Sequence, residues 1–359
     1  MPAQATAIGE FIERIRAASS QTPLCIRGSG SKDFYGNPAQ GEILDTRAYA
    51  GVVSYEPTEL VITARSGTPL QEIETLLAER GQALAFEPPH FGDAATLGGC
   101  VAAGLSGPRR AAVGALRDFV LGVKMLDGNA NLLTFGGQVM KNVAGYDAAR
   151  LLSGSLGTLG LLLEVSLKVL PRPVAEATLR LEAPQGKAIE LMNYWAGQPL
   201  PITATSWHDD LLMLRLGGAR AAVKAASQQL GGEAVAADAA SKFWSDLREQ
   251  RADPFAGDLP LWRLALPSVT PPLDLAGDQL IEWGGSLRWL KSGADDAEIR
   301  RAAAMSGGHA TLFRATPEQR HKAGVFQPLA PALLELHRQL KRRFDPQGIF
   351  NRGRMYREF

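Results

Sequence analysis

Hydrophobic and polar positions follow different patterns in the two halves of the chain. Up to about residue 173, short apolar runs that are typical of strands alternate with amphipathic segments. The predicted strands are PLCIRG, LVITAR, VLGVKML and NLLTF. The segment PLQEIETLLAERG has apolar residues at helical spacing, and we expect the helix to end at Gly81, because glycine takes the left-handed conformation of helix C-termini. The first half is therefore predicted to be an α/β domain.

The second half begins after PRPVAEA, where two prolines closely follow a strand. Two segments then repeat the pattern of strand, turn, helix and Gly-Gly stop: DDLLMLRLGGARAAVKAASQQLGGEAV and LRWLKSGADDAEIRRAAAMSGGHATLFRA. This repetition predicts an α+β domain with an antiparallel sheet and helices on one face. Between the two segments, AADAASKFWSDLREQRADPFAGDLPL is predicted to be a helix followed by a loop. Near the end, PALLELHRQLKRRFD is a predicted amphipathic helix with basic last turns.

Length and charge limit the classes of protein to which this chain can belong. At 359 residues the chain exceeds what one hydrophobic core usually supports, so we expect two domains. Its 38 basic and 37 acidic residues leave a net charge of +1, and no basic cluster is interleaved with aromatic residues. Nucleic acid is therefore not an expected partner.

Cysteine usage and the N-terminal segment predict the cellular compartment of the protein. Cys25 and Cys100 lie apart in apolar surroundings, which favours reduced thiols over a disulfide or a metal cluster and predicts an intracellular protein. The segment AIGEFIERIRAASSQ mixes charges with apolar residues, unlike a signal peptide. No apolar run approaches the roughly 20 residues of a membrane-spanning helix. We expect neither export nor membrane insertion.

Three glycine clusters are the clearest candidates for ligand-binding loops: RGSGSKD, TLGGCVAAGLSG and GSLGTLG. In the first, which follows a predicted strand, free backbone N–H groups can converge on an anion, but Asp33 replaces the third glycine of the Rossmann motif. A flexible turn is the alternative there. In the second, small residues can pack against a ring or a phosphate, or can allow a close contact between a helix and a sheet.

The order of these motifs over residues 20–173 resembles the FAD-binding domain of the vanillyl-alcohol oxidase and p-cresol methylhydroxylase (PCMH) superfamily. Four stretches resemble the E-subunit family of bacterial glycolate oxidases: KNVAGYD, GSLGTLG, WGGSLRWL and FDPQGIFNRGRMY. The resemblance implies an α+β fold with a PCMH-type FAD-binding domain of two α/β subdomains at 1–173. It also implies a smaller α+β cap with an antiparallel sheet at 174–326, and a helix and tail at 327–359 that return to the FAD domain.

The resemblance also implies a set of FAD contacts, drawn from small or polar residues in and around the loops. Those expected around the pyrophosphate are Arg27, Gly28, Ser29, Gly30, Ser31 and Lys32. Those expected along the ribityl chain, the isoalloxazine and the adenine are Pro88, Thr96, Leu97, Gly98, Gly99, Gly104, Ser106, Gly114, Asp118, Gly154, Gly157, Gly160 and Val165. Relatives that bind FAD covalently use a His in the first loop or a suitably placed Cys, so we expect noncovalent FAD here. Many relatives have Glu where this chain has Leu156.

No catalytic site can be assigned from the sequence. Oxidation of a 2-hydroxy acid requires a base for the hydroxyl proton and a cation for the carboxylate. The HxGDGN and EHGxG motifs of the full-length hydroxy-acid dehydrogenases are absent. His90 is a weak catalytic candidate because it lies near the expected flavin loops, whereas an isolated His309 is typical of a structural residue. No metal site is predicted.

For three further pairs of residues, the sequence alone leaves two interpretations open. Arg109–Arg110 would contact phosphate or solvent, and Tyr146–Asp147 would support the flavin or begin a helix. Trp283 and Trp289 would belong to the core of the cap or anchor an interface.

The resemblance predicts an FAD-binding subunit of a complex that oxidises glycolate, and also D-lactate, to the 2-oxo acid. Expected partners are a catalytic D-type flavoprotein subunit and an F-type iron–sulfur subunit, since two cysteines cannot hold a cluster. The expected location is cytoplasmic, with the partners holding the complex at the inner face of the membrane. Two alternatives stay open: an assembly subunit with a structural or vestigial FAD site, and a stand-alone FAD-dependent 2-hydroxy-acid dehydrogenase.

Overall fold

The structure is a computed structural model that describes residues 2–137 and 148–359, and only the backbone of residues 2–5. The KNVAGYD motif lies outside the described residues, and so do Tyr146 and Asp147. Among the residues described, no helix is both long enough and apolar enough to cross a membrane.

The first half of the chain contains short helices and strands in alternation. Its helices are α1 (Pro2–Ala17), α2 (Leu70–Ala78), α3 (Leu97–Ala103), α4 (Arg110–Val113), α5 (Leu116–Phe119) and α6 (Ala148–Leu151). Its strands are β1 (Leu24–Arg27), β2 (Glu42–Asp45), β3 (Val52–Glu56), β4 (Val61–Arg65), β5 (Gln82–Ala83), β6 (Val120–Leu126), β7 (Leu132–Gly136), β8 (Leu161–Lys168) and β9 (Leu170–Pro171). The four predicted strands and the helix that precedes Gly81 are confirmed.

Two sheets organise this half. Strands β1 and β2 form a parallel pair, with Cys25 opposite Ile43. The larger sheet has the order β3-β4-β8-β6-β7 and is antiparallel throughout. Its central strand β8 is buried on both faces, so its alternate side chains enter two cores: Leu161 and Leu163 pack with α1, and Leu162 packs with α2 and α3.

The second half carries the remaining elements. Its strands are β10 (Ala175–Glu182), β11 (Ile202–His208), β12 (Leu211–Gly218), β13 (Glu233–Val235), β14 (Leu261–Ala265), β15 (Asp278–Glu282), β16 (Leu287–Lys291) and β17 (His309–Arg314). Its helices are α7 (Gln185–Ala196), α8 (Arg220–Leu230), α9 (Ala237–Arg248), α10 (Asp296–Met305), α11 (Pro317–Ala323) and α12 (Pro331–Phe344). Both predicted strand–turn–helix repeats are confirmed.

These strands form one eight-stranded antiparallel sheet in the order β13-β10-β12-β11-β15-β16-β14-β17. Along β12, Leu212 and Leu214 pack beneath α7 and α8, while Met213 points to the opposite face. The expectation that all helices lie on one face is wrong for α9. Trp244 and Leu247 of α9 pack on the Met213 side because that face is covered by the first half of the chain and forms a second core.

The C-terminal segment returns to the first half. The N–H of Leu24 on β1 donates to the carbonyl of Ile349 at 2.7 Å, and the N–H of Asn351 donates to the carbonyl of Leu24 at 2.9 Å. The tail thereby lies beside β1, directly before the first glycine loop. The boundaries at residues 173 and 326 stay predictions.

Candidate functional site

A cavity of about 570 Å³ lies where the three glycine clusters meet. The sequence-predicted residues on its wall are Arg27, Gly28, Ser29, Gly30, Ser31, Lys32, Thr96, Gly98, Gly99, Gly157 and Gly160. The fold thus brings together segments that are up to about 130 residues apart in sequence, and it does so around a space large enough for a sizeable ligand.

The first loop follows β1 directly and approaches α3 closely. A Cβ atom on Gly28 would lie 2.3 Å from Oγ1 of Thr96, so no other residue fits there without displacement. Gly30 has φ +80° and lies against the guanidinium of Arg27, which forms a 2.5 Å ion pair with Asp33. The glycines therefore permit a tight turn and a close approach of backbone.

The second cluster forms the whole of α3, its N-cap Thr96 and the turn that follows it. Thr96 caps this helix by accepting the N–H of Gly99 at 3.3 Å. A Cβ on Gly98 would lie 2.7 Å from Cβ of Ser66, whereas one on Gly99 would meet only Thr96 Oγ1, at 3.2 Å. Gly98 thus allows close packing against the chain, and both glycines line the cavity, while their contact with a ring or a phosphate stays a prediction.

Two of the three glycines of GSLGTLG, Gly157 and Gly160, are required by contacts within the chain. Gly157 has φ +72°, and a Cβ there would lie 2.6 Å from Nδ2 of Asn351. A Cβ on Gly160 would lie 2.1 Å from Cε of Met125. A cofactor beside this segment is therefore not needed to explain its small residues, although both glycines also line the cavity.

Asn351 is a cavity residue that the sequence did not single out. Its Oδ1 accepts the N–H of Ile26 at 2.6 Å, and its Nδ2 donates to the carbonyl of Leu156 at 2.6 Å. One side chain thus joins β1 to the GSLGTLG segment. The motif FDPQGIFN contains this residue, so the motif was a signal for it, but the spatial role depends on the tail returning to β1.

Positive charge prevails on the cavity wall. Four cationic side chains line it, namely Arg27, Lys32, Arg320 and Arg354, against the single carboxylate of Asp33. Burial lowers the pKa of Lys32, whose Nζ donates to Ser31 Oγ at 3.4 Å and to the carbonyl of His90 at 3.1 Å. Such a wall favours an anionic ligand.

Nine predicted residues do not line this cavity: Pro88, His90, Leu97, Gly104, Ser106, Gly114, Asp118, Gly154 and Val165. Leu97 and Val165 belong to the core between α3 and the sheet. Gly104 packs on Gly154, since a Cβ on Gly104 would lie 2.7 Å from the Cα of Gly154. Their role as cofactor contacts stays a prediction.

Three of the nine hold the turn that precedes α5. Oγ of Ser106 accepts the N–H of Leu116 at 3.0 Å, and Oδ2 of Asp118 accepts the N–H of Ala115 at 2.8 Å. A Cβ on Gly114 would lie 3.1 Å from that same Asp118 oxygen. In the described structure these three residues therefore stabilise the turn before α5.

The weak catalytic candidate His90 is buried away from the cavity. Its Nε2 lies 3.3 Å from Oε1 of Glu74, and its backbone N–H donates to Oε2 of Glu249 at 3.0 Å. Burial lowers the pKa of His309, which lies on β17, an edge strand of the eight-stranded sheet. None of the five histidines lines the cavity as the described residues form it.

The face of the eight-stranded sheet that carries Met213 contacts the first half of the chain through several polar bonds. Arg215 on β12 forms a 2.8 Å ion pair with Glu87, and Nε1 of Trp283 donates to the carbonyl of Gly107 at 3.0 Å. Arg110 places its guanidinium 4.4 Å from the centre of the Trp283 ring. Trp283 is therefore a buried core residue, and Arg110 stacks on it.

Glu282 is a buried carboxyl at this interface. Its Oε1 accepts Nε1–H of Trp289, also buried, at 2.7 Å, and it lines a small cavity of about 20 Å³ with Arg263 and Ser106. Burial raises the pKa of Glu282 to about 7, outweighing the lowering by Trp289 and Arg263. The group therefore changes its protonation near neutral pH.

We expect the Glu282→Gln variant to lose part of the pH dependence of stability. Because the folded pKa is raised above the ordinary 4.5, the folded protein holds a proton that the unfolded chain releases, so Glu282 lowers the free energy of unfolding as pH rises from 4.5 to about 7. The full effect is about 3 kcal/mol. Urea unfolding at pH 5 and pH 8 measures it, and parallel curves for the variant and the wild type would contradict the assignment.

Comparison with known proteins agrees with this geometry. The model of the FAD binding domain family matches residues 3–136. The chain is 52% identical to glycolate oxidase subunit GlcE of Escherichia coli (strain K12) over 343 residues, which cover 96% of this chain and 95% of that protein. The chain belongs to the glycolate oxidase subunit GlcE family. FAD is thereby confirmed as the cofactor of the first half.

More distant relatives share the architecture. D-lactate dehydrogenase of Archaeoglobus fulgidus is 24% identical over 95% of this chain and 88% of that protein. Glycolate oxidase subunit GlcD of Bacillus subtilis (strain 168) is 31% identical, over 47% of this chain and 36% of that protein. A solved structure of alkyldihydroxyacetonephosphate synthase has a TM-score of 0.63 and 16% identity, and the match covers 95% of this chain and 75% of that one. The predicted PCMH-type α+β fold is confirmed.

Proposed function

We propose that this GlcE-family chain is the FAD-binding subunit of a complex that oxidises glycolate, and also D-lactate, to the corresponding 2-oxo acid. A catalytic D-type flavoprotein subunit and an F-type iron–sulfur subunit are its proposed partners, and the cytoplasm, at the inner face of the membrane, is its proposed location. The observation that carries the FAD site is the meeting of three glycine clusters at one positively charged cavity.

The residues of the cavity fit the proposed cofactor. Gly28 and Gly98 leave no room for side chains and both line the cavity, so backbone rather than side chain bounds the space where a diphosphate would bind. Buried Nε atoms of Arg27 and Arg320 have no hydrogen-bond partner within the described chain, which leaves donors for an anion. A ligand with two phosphates and an extended, partly apolar body matches both features.

Noncovalent attachment is proposed from the state of the thiols. The thiolate, not the thiol, is the nucleophilic form of cysteine, so a covalent bond to a flavin carbon requires a deprotonated sulfur. Burial raises the pKa of Cys25, which lines the cavity, and raises that of Cys100 to about 12. Neither group is therefore activated at neutral pH.

FAD, when bound, would supply a two-electron acceptor for hydride. The described residues would bind and shield such a ligand, but the backbone carbonyl of His90 accepts from Nζ of Lys32 and its ring lies against Glu74. No imidazole base lines the cavity in the described parts of the chain. These observations favour an auxiliary role, with the oxidation of substrate in the partner flavoprotein.

The test is the visible spectrum of the purified chain, with flavin quantified before and after acid precipitation. We expect one FAD per chain, released by acid, which stays oxidised when glycolate is added without oxygen. Bleaching should follow only after addition of the partner subunits.

Each alternative has its own outcome in this experiment. A folded chain without flavin would favour the assembly subunit with a vestigial site. Bleaching of the isolated chain by glycolate, together with turnover with an artificial electron acceptor, would overturn the auxiliary role in favour of a stand-alone dehydrogenase. Colour that remains on the precipitated protein would contradict noncovalent binding.

A further inference from the structure

Arg354, in the C-terminal tail, contacts the end of the first glycine loop and the residues that follow it. Its Nη1 donates to the carbonyl of Asn37 at 2.7 Å, and its Nη2 donates to the carbonyls of Lys32 at 3.2 Å and Asp33 at 3.1 Å. The residue is only 9% exposed and lines the cavity. A buried guanidinium therefore lies on the cavity wall, bonded to neutral carbonyls.

Arg320, in α11, makes the same kind of contact from a second direction. Its Nη1 donates to the carbonyls of Phe34 at 2.9 Å and Gly36 at 3.3 Å. Its Nε is buried without a hydrogen-bond partner in the described chain. Like Arg354, this side chain lines the cavity and lies outside the matched FAD-binding segment, residues 3–136.

The charges of these two arginines are not neutralised locally. Neither forms an ion pair with a carboxylate of the described residues, because Asp33, the one acidic side chain on the cavity wall, is paired with Arg27 at 2.5 Å. Burial lowers the pKa of Arg354, and the neighbouring Arg320 lowers it further, while Asp33 acts in the opposite direction. A buried and a half-buried guanidinium of like charge, close to each other, favour an anion that offsets the cost of their burial.

We propose that Arg320 and Arg354 are the anion-binding wall of the cavity and hold the diphosphate of FAD together with the backbone of the first glycine loop. The inference rests on the proposed FAD site and extends it to residues from the C-terminal third. The charges match, because the wall carries three more positive than negative side chains and a diphosphate carries two negative charges. A guanidinium suits this ligand since its donors are held in a planar fork.

The first measurement is the dissociation constant of FAD for wild type, Arg354→Met, Arg354→Lys and Arg320→Met, at low and high salt. We expect each Met variant to weaken FAD binding about tenfold to a hundredfold, since each loses charged hydrogen bonds to phosphate. Arg354→Lys keeps the charge and should stay within about tenfold of wild type. The affinity of the Met variants should depend less on salt.

The second measurement is the ³¹P spectrum of bound FAD, which reports on the diphosphate itself. We expect displaced diphosphate resonances in both Met variants. Arg352→Met is the matched control, because Arg352 is exposed in the same tail and donates only to the carbonyl of Ser20, at 3.0 Å. That control should leave the affinity, the salt dependence and the resonances unchanged.

The outcomes separate this inference from the proposed function. Equal weakening by Arg354→Lys and Arg354→Met, with unchanged ³¹P resonances, would mean that the arginines only support the loop, and would overturn the inference while the FAD site stands. A wild-type chain that binds no FAD would overturn the proposed function and the inference with it.

Discussion

The Gly99→Asp variant is expected to fold and to lose its FAD. Gly99 faces the cavity at the start of α3, and a Cβ there meets only Oγ1 of Thr96, at 3.2 Å, so the new side chain has to project toward the ligand. A carboxylate beside a diphosphate costs several kcal/mol, which corresponds to a loss of affinity of about a hundredfold or more. Flavin per chain in the purified protein measures the effect.

Gly28→Asp is expected to lose FAD for the same reason, and with a larger loss of stability. Its Cβ would lie 2.3 Å from Oγ1 of Thr96, so the loop or the helix cap must also shift. Gly9→Asp is the matched control, because nothing lies within 4 Å of a Cβ at Gly9 on α1. Full flavin content in both Gly28→Asp and Gly99→Asp would refute the assignment of the loops.

Lys341→Met is expected to lower the free energy of unfolding by about 3–5 kcal/mol, because it leaves a buried carboxylate without its cation. Nζ of Lys341 donates to Oδ2 of Asp345 at 2.6 Å and to the carbonyls of Thr158 at 2.7 Å and Phe350 at 2.8 Å. These three bonds join α12, the tail and the GSLGTLG segment. Urea or thermal unfolding, followed by circular dichroism, measures the loss.

The neighbouring pair provides the control. Arg342 and Glu335 also form an ion pair on α12, at 2.7 Å, but their side chains are 64% and 47% exposed. Solvent screens such a pair, so Arg342→Met should change the free energy of unfolding by less than about 1 kcal/mol. If both variants lost the same stability, burial of the Lys341 pair would not be what stabilises the tail.

Elements with strong local patterns could be predicted from the sequence. The apolar runs of β4 and β6 and the spacing of leucines and isoleucine in α2 bury one or both faces, so local patterning and tertiary packing agree there. The face on which α9 lies could not be predicted. An amphipathic helix shows which of its sides is buried, but Trp244 and Leu247 would fit either face of the sheet equally well.

Part of the candidate site could likewise be predicted from the sequence, and part could not. Glycine clusters are recognisable in a sequence, and eleven of the predicted residues line one cavity. Arg320 and Arg354 carry no such signal, because an arginine in a polar segment is most often solvated. Likewise, nothing local shows that Gly157 is required by Asn351, a residue almost 200 positions away.

The sequence by itself determined four strands of the first half, the two strand–turn–helix repeats of the second half, the glycine loops, the lack of hydroxy-acid dehydrogenase histidine motifs and the family resemblance. Each of these depends on neighbours within a few residues or on residue identity. Only the tertiary structure decided that the C-terminal tail lies beside β1, that the His90 ring lies against Glu74 and not on the cavity wall, and that two distant arginines add to the positive charge of that wall. Those features depend on contacts between segments far apart in the chain, and such contacts are fixed by the packing of whole elements rather than by local pattern.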